Sequence, residues 1–230
     1  MSFFARNLQI FKRIGLPLYV LTLIYTSLDQ LLTINTEAAL RNPNGASGWI
    51  WAYGFASLLV GIVFPILGSL VVIYGAQTAE ANEKGLWHFI QHHLNQLSIE
   101  ILRSWGKSLL WSLLFILPGI WKYFEFVMIP YVVTMSKRYE AGELDALKAS
   151  TQIVRRNLLK VLAVFFVFHM LFPSILTVLF DEYRLLWQTP VSAAVLTLID
   201  VYLFIFSTQL LLNIFEKQQP QEASHAAAHV

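Results

Sequence analysis

Ionisable side chains that stand within otherwise apolar stretches include Lys122, Glu125, His169 and Asp200. Charged groups are costly in apolar surroundings and tend to mark function there. His169 and Asp200 lie about eleven residues on either side of a polar turn, Asp181 to Thr189. At about 1.5 Å per residue, antiparallel helices would bring them to the same depth. Glu125, one turn from Lys122, follows a Pro118-Gly119 breaker and can reach that level if the hairpin there is short. One chemistry this set could support is proton-responsive or substrate binding, with histidine titrating near neutral pH. The simpler reading is a neutral His169 hydrogen-bonded to Asp200 for helix packing, with Glu125 and Lys122 near an interface, and the residues favour it.

Other patterns carry less chemistry. His88, His92 and His93 share a helical face at i and i+4, but without a His-Glu-x-x-His pattern they read as the polar face of an interfacial helix. His225 and His229 repeat the spacing in an Ala-rich tail. Ser104-x-x-Lys107 matches a short acyl-transfer pattern that arises easily by chance. No nucleophile elbow, phosphate-binding loop or dinucleotide fingerprint is present. With zero Cys there is no thiolate ligand and no disulfide. The expectation is a non-enzymatic chain with no cofactor and no metal.

Gly54, Gly61, Gly68 and Gly75 fall seven residues apart, so they share one helical face. Such a stripe lets another helix approach closely in a membrane, or lines a pore or lipid groove; packing is the preferred reading.

The elements that position these residues are apolar. Of 230 residues 57% are hydrophobic and 13% charged, where a soluble domain carries about 25% charged. Mean hydropathy is +0.58. Uncharged runs such as Trp49 to Ala79 match the span of about 20 residues that crosses a bilayer. The expected fold is an all-α integral membrane protein with six transmembrane segments: about Leu16–Thr33, Trp49–Tyr74, Trp105–Leu117, Ile120–Ser136, Leu158–Phe180 and Pro190–Phe215. The third and fourth are short, and are either two thin spans or a re-entrant hairpin. Interfacial amphipathic helices are expected near Phe3–Phe11, Gln77–Arg103 and Gly142–Asn157. Residues 1–215 form one membrane domain, and 216–230 read as a disordered polar tail.

Thirteen of the sixteen Lys and Arg fall in the N-terminus, two loops and the tail. Arg41 and Arg184 fall on the other side, with Lys122 close to its interface. The positive-inside rule therefore puts both termini in the cytoplasm. The net charge of +2 does not suit a nucleic-acid partner. The lipid bilayer is the expected partner, alongside another membrane protein or a second copy.

A final set of residues carries a resemblance. Leu117-Pro118-Gly119-Ile120, Ile129-Pro130-Tyr131-Val132, Ala146-Leu147-Lys148-Ala149-Ser150 and Arg155-Arg156-Asn157-Leu158-Leu159-Lys160 resemble the YciC-like group of bacterial multi-pass membrane proteins. That group is similar in pattern to the membrane domain of some glycerophosphodiester phosphodiesterases. The likeness is close over about 45 residues and extends to the whole chain in hydropathy. Lys122 and Glu125 depart from the apolar character of that interval. The resemblance implies the bacterial inner membrane and supplies no catalytic residues. The function expected is an accessory or envelope-homeostasis factor; transport of a small solute or lipid through a site near Glu125, His169 and Asp200 is the alternative.

Overall fold

The computed structural model describes residues 3–41, 48–77, 85–180 and 188–227, without the side chains of 62, 177 and 219–227. The turn signal Asn42–Gly45, residues 181–187 of the polar turn, and His229 lie outside the described residues. Within them the chain is helical: α1 Phe3–Leu40, α2 Trp49–Ala76, α3 Gly85–Leu114, α4 Ile116–Glu125, α5 Ile129–Met135, α6 Lys137–Glu140, α7 Ala146–Arg156, α8 Leu158–Phe165, a π-helical turn Phe166–Leu171, α9 Phe172–Phe180 and α10 Pro190–Ala227.

Five stretches are long and apolar enough to cross a membrane: Phe3–Leu40, Trp49–Ala76, Ile116–Met135, Leu158–Phe180 and Pro190–Gln218. Large apolar side chains also face outward, among them Leu16, Trp51, Leu113, Val178 and Val191, each more than three-quarters exposed. A soluble domain rarely shows so much contiguous apolar surface. The pattern suggests a membrane protein.

Three boundaries differ from the sequence expectation. The N-terminal amphipathic stretch and the first span are one helix with Pro17 inside it. Residues 85–103 of the expected interfacial helix Gln77–Arg103 and 105–114 of the expected third span Trp105–Leu117 are likewise one 30-residue helix, α3, because no breaker separates Arg103 from Trp105; residues 78–84 lie outside the described residues. The expected fourth span is two helices, α4 and α5, parted by a turn at Phe126–Met128. At the C-terminal end, α10 continues past Phe215, where the hydropathy declines.

Packing follows side-chain complementarity. Tyr25 of α1 stacks on Phe64 of α2 at 4.2 Å. Arg13 of α1 donates to the Gln77 carbonyl at the end of α2 (2.9 Å) and lies over the Tyr74 ring (5.4 Å), a cation at the negative end of a helix. Arg6 pairs with Glu216 at 2.9 Å and joins α1 to α10. The core runs through Ile10, Ile14 and Leu18 of α1, Leu70 and Ile73 of α2, Val132 of α5, Leu147 of α7 and Ile205 of α10.

Candidate functional site

The site begins with a break in the backbone. α3 ends at Leu114, and Phe115 is extended (φ −154°, ψ 134°) before α4 turns back antiparallel. The break thus falls three residues before Pro118. Pro118 sits in the first turn of α4, where a missing N–H costs nothing. Gly119 serves a different purpose from the expected breaker. A Cβ there would collide with the Ser112 hydroxyl and come within 2.8 Å of the Ser112 Cα, so glycine permits the two helices of the hairpin to touch.

At the foot of α4 lies Glu125, 1% exposed. Trp121 Nε1–H donates to its Oε1 at 3.1 Å and Lys122 Nζ to its Oε2 at 2.6 Å. From α7, Arg155 places Nε at 2.8 Å and Nη2 at 2.7 Å from Oε1. The turn that follows is stitched by Ser150 of α7, itself wholly buried. Its hydroxyl donates to the Glu125 carbonyl (2.7 Å) and accepts from the Met128 amide (3.2 Å). Both buried backbone groups freed by the break therefore have partners.

α7 has a buried and an exposed face. Its inner face is Ala146, Leu147, Ala149, Ser150, Ile153 and Val154, and Lys148, Gln152, Arg155 and Arg156 are exposed. Asp145 caps it, accepting from the Leu147 and Lys148 amides at 2.9 and 3.1 Å. Gly142 at φ 75° makes the turn before it. Arg103 of α3 pairs with Asp145 at 3.1 Å and with both oxygens of Glu100 at 3.0 and 2.9 Å. The Tyr139 hydroxyl donates to Glu100 at 3.3 Å. Burial first, and then the Glu100 carboxylate, push the Tyr139 hydroxyl up to about 12. Burial alone would raise the Asp145 carboxyl, but the Lys148 amide and the Arg103 guanidinium outweigh it and hold it below the usual range. α7 thus forms a crossbar: α3 is tied to its N-terminal end at Arg103, and α4 to its C-terminal end at Glu125.

A cavity of about 320 Å³ lies between α2, α3, α5, α8 and α10. Its walls are mostly apolar, including Phe64, Ile66, Phe126, Val127 and Leu211. The Ser69 and Ser104 hydroxyls that reach it are bonded to carbonyls of their own helices, at 3.0 and 2.7 Å. Tyr131 donates to the Thr208 carbonyl at 3.1 Å. His169 lines the cavity from the π-helical turn, stacked on Phe165 at 5.0 Å. It is exposed, so the cavity is open on that side.

Glu125 is bound to α7, and neither Glu125 nor Asp200 lines the cavity that His169 borders. The π turn at Phe166–Leu171 is wider than regular α-helix and shifts the register around His169. Lys122, placed by the sequence near the opposite interface, instead pairs with Glu125 beside the basic helix α7.

The glycine stripe divides in two. A Cβ on Gly68 would meet the Phe204 ring at 3.2 Å, and one on Gly75 would meet Ile14 at 2.8 Å. Gly54 and Gly61 have nothing within 4 Å, and Gly61 lines the cavity. Of these four glycines, the two in the C-terminal half of α2 are thus the ones pressed against neighbours. His88, His92 and His93 lie on one helix; His93 Nδ1 donates to the Phe89 carbonyl at 3.0 Å, and burial lowers its pKa. Among the described residues no three His, Cys, Asp or Glu side chains converge as a metal site.

Sequence reasoning missed Arg155 and Ser150 as partners of Glu125. Both stood in the Ala-Leu-Lys-Ala-Ser and Arg-Arg-Asn runs, but nothing in their spacing reveals a contact 25 to 30 residues away. It also missed Gln209, which is 0% exposed with neither amide atom hydrogen-bonded. Comparison with known protein families, curated proteins and solved structures finds no match for the chain.

Proposed function

We propose that the chain is a non-enzymatic, multi-pass protein of the bacterial inner membrane, an accessory or envelope-homeostasis factor built around a re-entrant hairpin. The observation that carries this reading is the saturation of Glu125. The most buried of the candidate site residues spends its carboxylate on Trp121, Lys122 and Arg155, and so serves to anchor α4 to α7 rather than to accept a substrate's proton.

The hairpin follows from the crossbar. The exposed face of α7 carries Lys148, Gln152, Arg155 and Arg156, which belong at a membrane surface. Above that level α3 extends eleven residues from Arg103 to Leu114, and α4 nine residues from Glu125 back to Ile116. At about 1.5 Å per residue both arms rise about 14–17 Å, roughly half of a hydrocarbon core about 30 Å thick. The tip, Leu113 to Leu117, is apolar and exposed throughout. With Lys122 at the level of α7, the basic asymmetry that puts both termini in the cytoplasm grows stronger. The inner-membrane location is what the YciC-like resemblance implies.

The cavity favours a second reading, carriage of an apolar or amphiphilic molecule. Its mouth at His169 lies eleven residues into the 23-residue stretch Leu158–Phe180, near mid-depth, and π-helical turns recur at functional sites. Native mass spectrometry of the purified full chain separates the two. A co-purifying membrane protein, with no adduct that Gly61→Leu removes, supports the accessory role. A stoichiometric adduct lost on Gly61→Leu, which fills the cavity, supports carriage. A bound molecule that is chemically altered on incubation contradicts the non-enzymatic reading.

A further inference from the structure

Beside the foot of the hairpin, sharing Phe126 as a wall with the apolar cavity, lies an open cleft of about 510 Å³. Three lysines from three helices line it: Lys107 of α3, Lys122 of α4 and Lys148 of α7. Thr151 and Gln152 add hydrogen-bonding groups, and no carboxylate is among the lining residues. The nearest acid, Glu125, is already shared between Lys122 and Arg155. Among the described residues neither Lys107 nor Lys148 forms an ion pair. Lys107 and Lys148 thus converge on Lys122 with a single carboxylate, already divided between Lys122 and Arg155, to offset them, and like charges so placed repel one another unless an anion enters.

A second observation says which anion. The apolar tip Leu113–Leu117 begins six residues beyond Lys107 on α3 and ends five before Lys122 on α4, about 8–9 Å of helix on either arm. Trp111, which also lines the cleft, is a side chain suited to the membrane–water boundary. With the tip near mid-core the lysine backbones lie about 8–9 Å from it, and their long side chains snorkel outward to the lipid phosphates. We infer that the cleft formed by Lys107, Lys122 and Lys148 binds the phosphate headgroup of an anionic phospholipid, whose chains lie along the apolar flank of the hairpin. This rests on the re-entrant reading of α3–α4.

The test titrates the detergent-purified full chain with short-chain phosphatidylglycerol, short-chain phosphatidylcholine and inorganic phosphate, with binding read by native mass spectrometry. Phosphatidylglycerol is expected to bind at least about tenfold more tightly than phosphatidylcholine. Lys107→Gln with Lys148→Gln should weaken it about tenfold or more, whereas Lys107→Arg with Lys148→Arg should retain it. Each single Gln variant should show an intermediate loss, which guards against a double variant that fails to fold. Equal binding of the two lipids, or unchanged binding by the Gln variants, overturns the site. Displacement of phosphatidylglycerol by inorganic phosphate at comparable concentration overturns the lipid and leaves a free-anion site. Labelling of Phe115→Cys from outside the cell removes the re-entrant reading by itself, whatever the lipid titration gives.

Discussion

At the scale of single residues, Ser150 and Glu125 hold the least replaceable contacts. Ser150→Ala keeps the shape of the side chain but leaves the Glu125 carbonyl and the Met128 amide buried without a partner. A loss of about 1–3 kcal/mol is expected in detergent unfolding. Glu125→Ala should cost a similar amount. Breaking a buried pair can cost about 3–5 kcal/mol, but the cations left behind, Lys122 at 26% and Arg155 at 61% exposure, retain water. Gln209→Leu has the opposite sign: replacing a buried amide without hydrogen bonds by a hydrocarbon of similar size should leave stability equal or higher. A marked loss of thermal stability in that variant would show that the amide has a partner. Glu125 and His169 were legible in the sequence as ionisable groups in apolar runs. Their partners were not, because a lone sequence records which residues are expensive to bury and says nothing of what lies across a helix interface.

Helices α2, α3 and α7 show where pattern suffices and where it fails. The stripe of α7 was legible because its apolar residues recur at the helical period, and Asp145 could be read at its N-terminal end. Asp145→Ala removes both the cap and the pair with Arg103, at a cost of about 1–2 kcal/mol. Because the folded Asp145 carboxyl is depressed, its contribution is present above the unfolded value near 3.9 and is lost as pH falls through the lower folded value. Wild type and variant should therefore differ in melting temperature at neutral pH and converge as pH falls through the depressed folded value. The glycine periodicity of α2 was equally visible, but period alone cannot say how far along its length a helix has neighbours. Gly68→Leu and Gly75→Leu should each destabilise by about 1–3 kcal/mol, since Phe204 and Ile14 stand in the way. Gly54→Ala, facing open space, should be neutral or gain up to about 1 kcal/mol from helix propensity. Gly119→Ala should be the most damaging of the glycine changes, because its clash reaches the Ser112 backbone. The break at Phe115 escaped sequence reading because attention went to Pro118, which a helix accepts in its first turn.

At the scale of the whole molecule, hydropathy identified five stretches long and apolar enough to cross a membrane. In the re-entrant reading Leu109 to Leu117, as apolar as a span, is the tip of a hairpin, and length in sequence does not reveal where a chain turns back. Anchoring by α7 limits its depth, so the central claim is that α3 and α4 enter one leaflet and leave by the same face. Cysteine accessibility in intact cells and in inverted vesicles tests this most directly, with single cysteines at Lys107, Phe115 and Thr189 of the otherwise cysteine-free chain. Lys107→Cys should react with an impermeant maleimide only in inverted vesicles, Thr189→Cys only in intact cells, and Phe115→Cys in neither. Reaction of Phe115→Cys in intact cells at the rate of Thr189→Cys would mean that the hairpin crosses the bilayer, and would contradict the claim.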